Sequence, residues 1–182
     1  MVVCGQPGLP LPAPVRKLVL NDVGPTLQWQ AIARIGAYLG AAGHFKSVQE
    51  AADAMWVISE SFGPHTPAQW LALSNPMVKL VSAAADSPFR LHYDPAIAVP
   101  FKQATEASSQ QDEKTLWQLY DNIKAETLAV RGAQSDLLSP ETAQAMAQRG
   151  PRARLVSFDG VGHAPTLIAK DQLAAVTGFL LS

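Results

Sequence analysis

Residues 127–136 read TLAVRGAQSD, and this stretch decides the fold. A short apolar run, typical of a buried parallel strand, is followed at once by a polar loop that contains Asp136. Residues 154–165, RLVSFDGVGHAP, repeat this arrangement and place His163 in the second loop. The two stretches therefore predict two parallel strands with polar residues at their carboxyl ends.

Helical patterns follow both predicted strands, and a further strand precedes them. Ser139 is a typical helix N-cap before Pro140, and residues 169–181 carry apolar side chains at helical spacing. Upstream, the run RKLVLND at residues 16–22 is stopped by Gly-Pro and predicts another buried parallel strand. Alternating strands and helices indicate an α/β fold with three parallel strands and flanking helices.

The first and second predicted strands are separated by about 100 residues, far more than an ordinary crossover helix requires. Amphipathic patterns fill this segment, which predicts an inserted α-helical lid over the strand ends. We expect residues 1–25 and 111–182 to form the α/β core and residues 26–110 to form the lid. Three tryptophans, Trp56, Trp70 and Trp117, are expected in the core of the lid, with contact to a substrate pocket as the alternative.

Composition excludes several classes of function. The 182 residues include 14 Lys plus Arg and 15 Asp plus Glu, a net charge of −1, and the cations are scattered, so binding to nucleic acid or to an anionic membrane is not expected. One cysteine excludes an intramolecular disulfide and favours a reducing cytoplasm. The four histidines lack ligand spacing, so no metal or other cofactor is expected. We see neither a membrane span nor a signal peptide pattern.

The two polar loops supply an acid and then a base in chain order. Asp136 would hold the tautomer and orientation of His163, and His163 would act as a general base. An Asx turn for Asp136 and a surface position for His163 are the alternatives. Asp22 also ends a strand and is a second candidate for the acid. Cys4 lacks the flanking glycines and preceding strand of a strained nucleophile turn, so a small helix residue explains it better.

Four motifs occur in a characteristic order: LVLNDVGP (residues 18–25), YDPAIA (93–98), RGAQSDLLS (131–139) and VGHAPTL (161–167). Together they resemble the α/β-hydrolase superfamily, in particular a lidded bacterial branch, over essentially the whole chain. The resemblance implies that the three strands are the sixth, seventh and eighth of an eight-stranded sheet. The fold expected for these 182 residues is thus an incomplete α/β-hydrolase fold, its carboxyl-terminal portion only.

The resemblance also implies that the nucleophile is absent. No Gly-x-Ser-x-Gly or Gly-x-Cys-x-Gly occurs in the sequence. Residues 1–8 resemble the later turns of the helix that follows the nucleophile elbow, so the serine is expected about 7 residues before Met1, and both oxyanion donors are expected outside these residues as well.

Two functional hypotheses remain open from the sequence. In the first, a full-length parent hydrolyses a small ester-like substrate through an acyl-enzyme, and the 182-residue chain is inactive alone. In the second, the chain is a non-catalytic truncated product or an interaction module. If the first strand is the sixth of that sheet, its edge toward the missing fifth strand is unpaired, which predicts self-association through that edge, whereas a self-sufficient module would remain a monomer.

Overall fold

The computed structural model describes residues 1–40, 43–84 and 86–182. The helices are α1 (Val2–Gly5), α2 (Trp29–Tyr38), α3 (Val48–Ser59), α4 (Pro67–Ser74), α5 (Ala98–Gln103), α6 (Glu106–Asp121), α7 (Pro140–Gln148) and α8 (Lys170–Leu181). The strands are β1 (Lys17–Asn21), β2 (Val78–Leu80), β3 (Phe89–Leu91), β4 (Glu126–Gly132) and β5 (Arg154–Phe158).

The three predicted parallel strands are confirmed and form one sheet in the order β1-β4-β5. Leu18 of β1 is in register with Thr127 of β4, and Leu128 of β4 is in register with Arg154 of β5. Because the strands are parallel, the loops that follow them emerge at the same edge of the sheet. This edge is where the polar residues of all three loops meet.

Burial differs between the strands of this sheet. Six of the seven residues of β4 are buried, whereas β1 is half-buried and most of β5 is exposed. The expectation that every strand is buried on both faces is therefore wrong for β1 and β5. The reason is their place at the two edges of the described sheet, since β4 alone has a neighbour on each side.

Helices cover both faces of the sheet. On one face, Tyr120 of α6 and Met146 of α7 pack with Leu20 and Ala129 of the strands. On the other face, Phe179 of α8 belongs to a cluster with residues of β4 and β5. The hydrophobic effect therefore secures a three-layer α/β arrangement around β4.

The short helix α1 packs closely against α6. A Cβ atom added to Gly5 would lie 1.9 Å from the carbonyl oxygen of Leu119, so the absence of a side chain allows this approach. Cys4 packs beside the same hydrophobic core. This matches the expectation that Cys4 is a small helix residue.

The segment between β1 and α6 contains helices, as expected, and also an antiparallel pair of strands that the sequence pattern did not predict. Strands β2 and β3 have three residues each, too few to show a periodic pattern. Trp56 and Trp70 pack in a local core with Met55 and Val78. Residue 110, the expected end of the lid, lies within α6.

Trp117 corrects one expectation. It lies on α6 beside the sheet and not within the inserted segment. Its indole N–H donates to Oγ1 of Thr26 at 2.9 Å, and the guanidinium of Arg149 lies 4.2 Å from its ring centroid. The indole therefore fixes the start of the inserted segment against the core.

Within the described residues, no helix combines the length and the apolar character that crossing a bilayer requires.

Tyr120 provides a test of the core. Its side chain is fully buried and its hydroxyl donates to the carbonyl of Met146 at 2.6 Å. Burial raises the pKa of Tyr120 to about 12 from 10.0. We expect Tyr120→Phe to lower the free energy of unfolding by about 1 kcal/mol near neutral pH, because the carbonyl of Met146 keeps the amide of Ala153 as a second donor.

The pH dependence of the free energy of unfolding distinguishes the effect of the buried hydroxyl from an effect of packing alone. Between pH 10 and about 12 the phenol ionises in the unfolded chain before it ionises in the native one, so the wild-type protein loses stability that the Phe variant keeps. Urea unfolding from pH 9 to 12 measures this difference. Tyr38→Phe is the matched control, expected to change stability by less than about 0.5 kcal/mol. A difference between wild type and Tyr120→Phe that stays constant across this range would contradict the assignment.

The outer edge of β1 pairs with no described strand, and Leu11 and Val15 lie exposed just before it. We expect the 182-residue polypeptide to self-associate in solution, because open strand edges beside apolar surface act as templates for pairing. Light scattering measures this. Val15→Lys should reduce association, whereas the control Leu181→Lys, on α8, should not. A monodisperse 19.4 kDa monomer would contradict the expectation.

Candidate active site

The side chain of Asp22 lies at the centre of the strand-end edge. It follows β1 directly, is fully buried, and has a φ of 54°, in the left-handed region that aspartate tolerates better than most residues. Its carboxylate accepts hydrogen bonds from the backbone N–H of Gly132 at 2.9 Å, from Oγ of Ser135 at 2.6 Å and from Nδ1 of His163 at 2.8 Å. These three donors compensate the burial of its charge.

This contact defines the state of the imidazole of His163. A carboxylate only accepts hydrogen bonds, so Nδ1 carries a proton toward Asp22. In the neutral ring Nε2 is then an unprotonated acceptor, which is the form that a general base requires. The side chain of His163 is 21% exposed, so the ring is reachable from outside while Nδ1 stays engaged.

Ser135 supports the carboxylate of Asp22. The Ser135 hydroxyl donates to Oδ2 and accepts hydrogen bonds from the backbone N–H groups of Leu137 and Leu138 at 3.2 and 3.1 Å. A hydroxyl has one proton, so this pattern commits it to Asp22. Ser135 therefore connects the loop after β4 to the carboxylate after β1.

Asp136, the acid expected from the sequence, is not in contact with His163. Its carboxylate pairs with the guanidinium of Arg34 on α2, with both Nε and Nη2 at 3.0 Å, and its side chain is half-exposed. The expected pairing of Asp136 with His163 is corrected: the carboxylate on Nδ1 is that of Asp22. The physical reason is the turn at Ser135, which directs Ser135 inward and leaves the next side chain at the surface.

The loops after β4 and β5 approach each other closely. The backbone N–H groups of Ala133 and Gln134 donate to the carbonyls of Phe158 and Val161, each at 2.9 Å. A Cβ atom on Gly132 would lie 2.3 Å from the carbonyl oxygen of Gly162. A side chain at residue 132 would thus displace the loop that carries His163.

A buried guanidinium shapes the first of these loops. Arg131 donates from Nε to the carbonyl of Leu138 and from Nη1 to the carbonyl of Ala133, at 2.9 and 3.2 Å. Both ends of the loop 132–138 are therefore attached to one rigid side chain.

The inserted segment also holds the loop of His163. The N–H of Gly162 donates to the carbonyl of Ser61, and Oγ of Ser61 donates to the carbonyl of His163 at 3.3 Å. Nδ1 of His65 lies 2.8 Å from the carbonyl of Gly63, so it carries the proton, and Nε2 accepts from Oγ1 of Thr166 at 2.8 Å. The position of the imidazole of His163 thus depends on the inserted segment as well as on the sheet.

Ser135 and Ser61 belong to this site and were not predicted from the sequence. Ser135 had a local signal, because a serine hydroxyl in a polar loop often accepts hydrogen bonds from the backbone N–H groups two and three residues later and so forms an ST turn. Ser61 had no such signal. It lies 102 residues from His163 in the sequence, and its backbone carbonyl accepts the hydrogen bond from the N–H of Gly162.

A mostly apolar cavity of about 580 Å³ lies within the inserted segment and extends to the His163 loop. Thr166, three residues after His163, lines it, as do Ser59 and Phe62 on either side of Ser61. Its volume is typical of sites for small organic ligands. Other lining residues are Met55, Ile58, Trp70, Leu73, Met77 and Leu91.

No cluster of three or more His, Cys, Asp or Glu side chains suited to a metal ion occurs in the part of the chain that the structure describes.

Comparisons with known proteins give the chain a family context. It matches no protein-family model. It is 44% identical over 179 residues to a protein of Cupriavidus necator named 3-hydroxybutyrate-oligomer hydrolase, an alignment that covers 98% of this chain and 61% of that protein. The chain therefore spans about three fifths of the length of this relative.

Solved structures agree with this similarity. An α/β hydrolase from Novosphingobium aromaticivorans is 33% identical, with a TM-score of 0.72 over 90% of this chain and 55% of that one. A structure described as a putative hydrolase from Rickettsia typhi is 22% identical, with a TM-score of 0.76 over 99% of this chain and 57% of that one, and supports the fold alone.

The contact between Asp22 and His163 is testable on the 182-residue chain by proton NMR. A proton on an imidazole nitrogen that is hydrogen-bonded to a carboxylate is strongly deshielded, so we expect a downfield resonance that disappears in His163→Ala. Asp22→Asn should remove or shift it, whereas the matched control Asp136→Asn should leave it unchanged. Retention in Asp22→Asn with loss in Asp136→Asn would reverse the assignment of the partner.

Proposed function

Because the chain belongs to the α/β-hydrolase superfamily, we propose that it is the carboxyl-terminal part of a serine hydrolase in which Asp22 and His163 are two members of a Ser-His-Asp triad. The observation that carries this proposal is the 2.8 Å contact between Nδ1 of His163 and the buried carboxylate of Asp22. The catalytic role of Asp136 that the sequence favoured passes to Asp22.

In this proposal each group has a defined step. Nε2 of His163 accepts the proton of the serine hydroxyl as its oxygen attacks the ester carbonyl, and later donates that proton to the leaving alcohol. Asp22 holds the ring in the required tautomer and stabilises the imidazolium that forms. A water molecule, deprotonated by the same nitrogen, then hydrolyses the acyl-enzyme.

The serine belongs to another part of the hydrolase in this proposal. The 182 residues contain no Gly-x-Ser-x-Gly, and the Cupriavidus relative is longer than the matched region. We assign the nucleophile elbow and both oxyanion donors to residues that precede Met1 in the full hydrolase. The 182-residue polypeptide alone then has no turnover.

The substrate follows from the cavity and from the relative. The relative is named for hydrolysis of 3-hydroxybutyrate oligomers, which are short aliphatic polyesters. A cavity of about 580 Å³ with mostly apolar walls is suited to the aliphatic body of such an ester. We therefore assign an ester of a short hydroxy acid as the substrate class, with the inserted segment between β1 and α6 as the lid that binds it.

The test is a chimera that joins the amino-terminal part of the Cupriavidus relative to residues 1–182. We expect it to react with a fluorophosphonate probe and to hydrolyse a short aliphatic ester. His163→Ala and Asp22→Asn should each lower kcat by about 10⁴-fold, because the serine then lacks an oriented base. Asp136→Asn, the same chemical change at the half-exposed aspartate, should leave kcat within about threefold, since surface ion pairs contribute little.

Circular dichroism and thermal unfolding establish whether each variant is folded. A folded chimera without labelling or turnover would contradict the proposal and favour a non-catalytic module. Turnover by residues 1–182 alone, abolished by His163→Ala, would instead show that the nucleophile lies within this chain.

A further inference from the structure

The hairpin of the inserted segment places two cations side by side. Lys79 of β2 is directly opposite Arg90 of β3, and the N–H of His92 donates to the carbonyl of Met77 at 2.7 Å, which extends the pairing by one position. Alternation along β3 puts Arg90 and His92 on one face, opposite to the face of Leu91 that packs in the local core.

Lys79 and Arg90 have no compensating partner among the residues that the structure describes. Like charges directly opposite each other destabilise a hairpin. In residues 1–40, 43–84 and 86–182, neither side chain takes part in an ion pair or donates a hydrogen bond. The hairpin therefore keeps two unneutralised cations at adjacent positions, which an anionic ligand would stabilise.

These cations line a concave surface and not a flat one. Lys79, Arg90, His92, Tyr93 and Asp94 surround a depression of about 320 Å³. Oδ1 of Asp94 accepts from the N–H of Ala96 at 2.9 Å and caps a short 3₁₀ turn, so this carboxylate is engaged locally. Two cations and one engaged carboxylate leave the depression with a net positive charge.

The depression lies next to the apolar cavity. His92 and Tyr93 line both spaces, and the hydroxyl of Tyr93 is fixed by the N–H of Gly40 at 3.0 Å. The cavity also reaches Thr166 in the loop of His163. A ligand that fills the cavity would contact Thr166 of the His163 loop and, at His92 and Tyr93, the two side chains that the cavity shares with the depression.

We propose that Lys79 and Arg90 bind the free carboxylate of an oligoester whose aliphatic body fills the cavity and whose ester bond lies at His163. Arginine can hold a carboxylate through two parallel hydrogen bonds, and lysine adds a point charge. This inference rests on the proposed function and adds to it a specificity for esters that end in a carboxylate. Neutral esters of the same length occupy the cavity but gain nothing from the hairpin.

The experiment measures binding to the 182-residue chain and does not require the nucleophile. Linear 3-hydroxybutyrate trimer, as the free acid and as its methyl ester, is titrated while tryptophan fluorescence is followed, because Trp70 lines the cavity. We expect the free acid to bind at least tenfold more tightly than the methyl ester, and only the binding of the acid to weaken as salt is added.

Substitutions separate the hairpin from the cavity. Lys79→Gln and Arg90→Gln should each weaken binding of the free acid about tenfold and leave the methyl ester unchanged. Lys102→Gln is the matched control, an exposed lysine on α5 of the same inserted segment that does not line the depression, and should change neither affinity.

Equal affinities of wild type for acid and methyl ester, or equal effects of Arg90→Gln and Lys102→Gln on the acid, would overturn the inference. Failure of wild type to bind either ligand would overturn it too. None of these results tests whether Asp22 and His163 belong to a catalytic triad. The chimera tests that assignment separately, through turnover of a neutral ester. Conversely, an inactive chimera with selective binding of the acid would retain the hairpin site and reject the catalytic proposal.

Discussion

The carboxylate of Asp22 is the interaction on which the strand-end edge depends. It is buried in a left-handed backbone conformation that costs a non-glycine residue on the order of 1 kcal/mol, and it accepts three hydrogen bonds. The donors come from the last residue of β4, from the loop that follows it and from the loop after β5. One carboxylate after β1 thus connects the ends of all three strands, and its replacement by an apolar side chain would leave three donors without their acceptor.

The imidazole of His163 is held from two sides of the molecule. The sheet supplies Asp22 and the close approach at Gly132, which tolerates no side chain. The inserted segment supplies Ser61 and the hydrogen bond from Thr166 to His65. Because the same segment forms the apolar cavity, a shift of its helices would change both the space for a ligand and the orientation of the base. In the proposed hydrolase, substrate binding and the position of the base would therefore be linked through this segment.

The two faces of the hairpin formed by β2 and β3 differ in polarity. One face of the hairpin packs Val78 and Leu91 into a local core, whereas the other presents Lys79 and Arg90. Period-two alternation makes this division possible within three residues per strand. A strand pair of this length adds little stability of its own, so its position depends on the packing of Val78 and Leu91 in the local core.

The sequence alone determined the parallel strands, their helices and the loop position of His163, because apolar runs, caps and turn residues act over a few neighbouring positions. It also placed Asp22 and Asp136 at strand ends, but not the choice between them. That choice was decided by the tertiary structure, where burial, the inward turn at Ser135 and an ion pair with Arg34 separate the two carboxylates. The pairing of Lys79 with Arg90 and the contact of Ser61 with the His163 loop were decided in the same way, since a register and a contact across 102 residues leave no periodic trace in the chain.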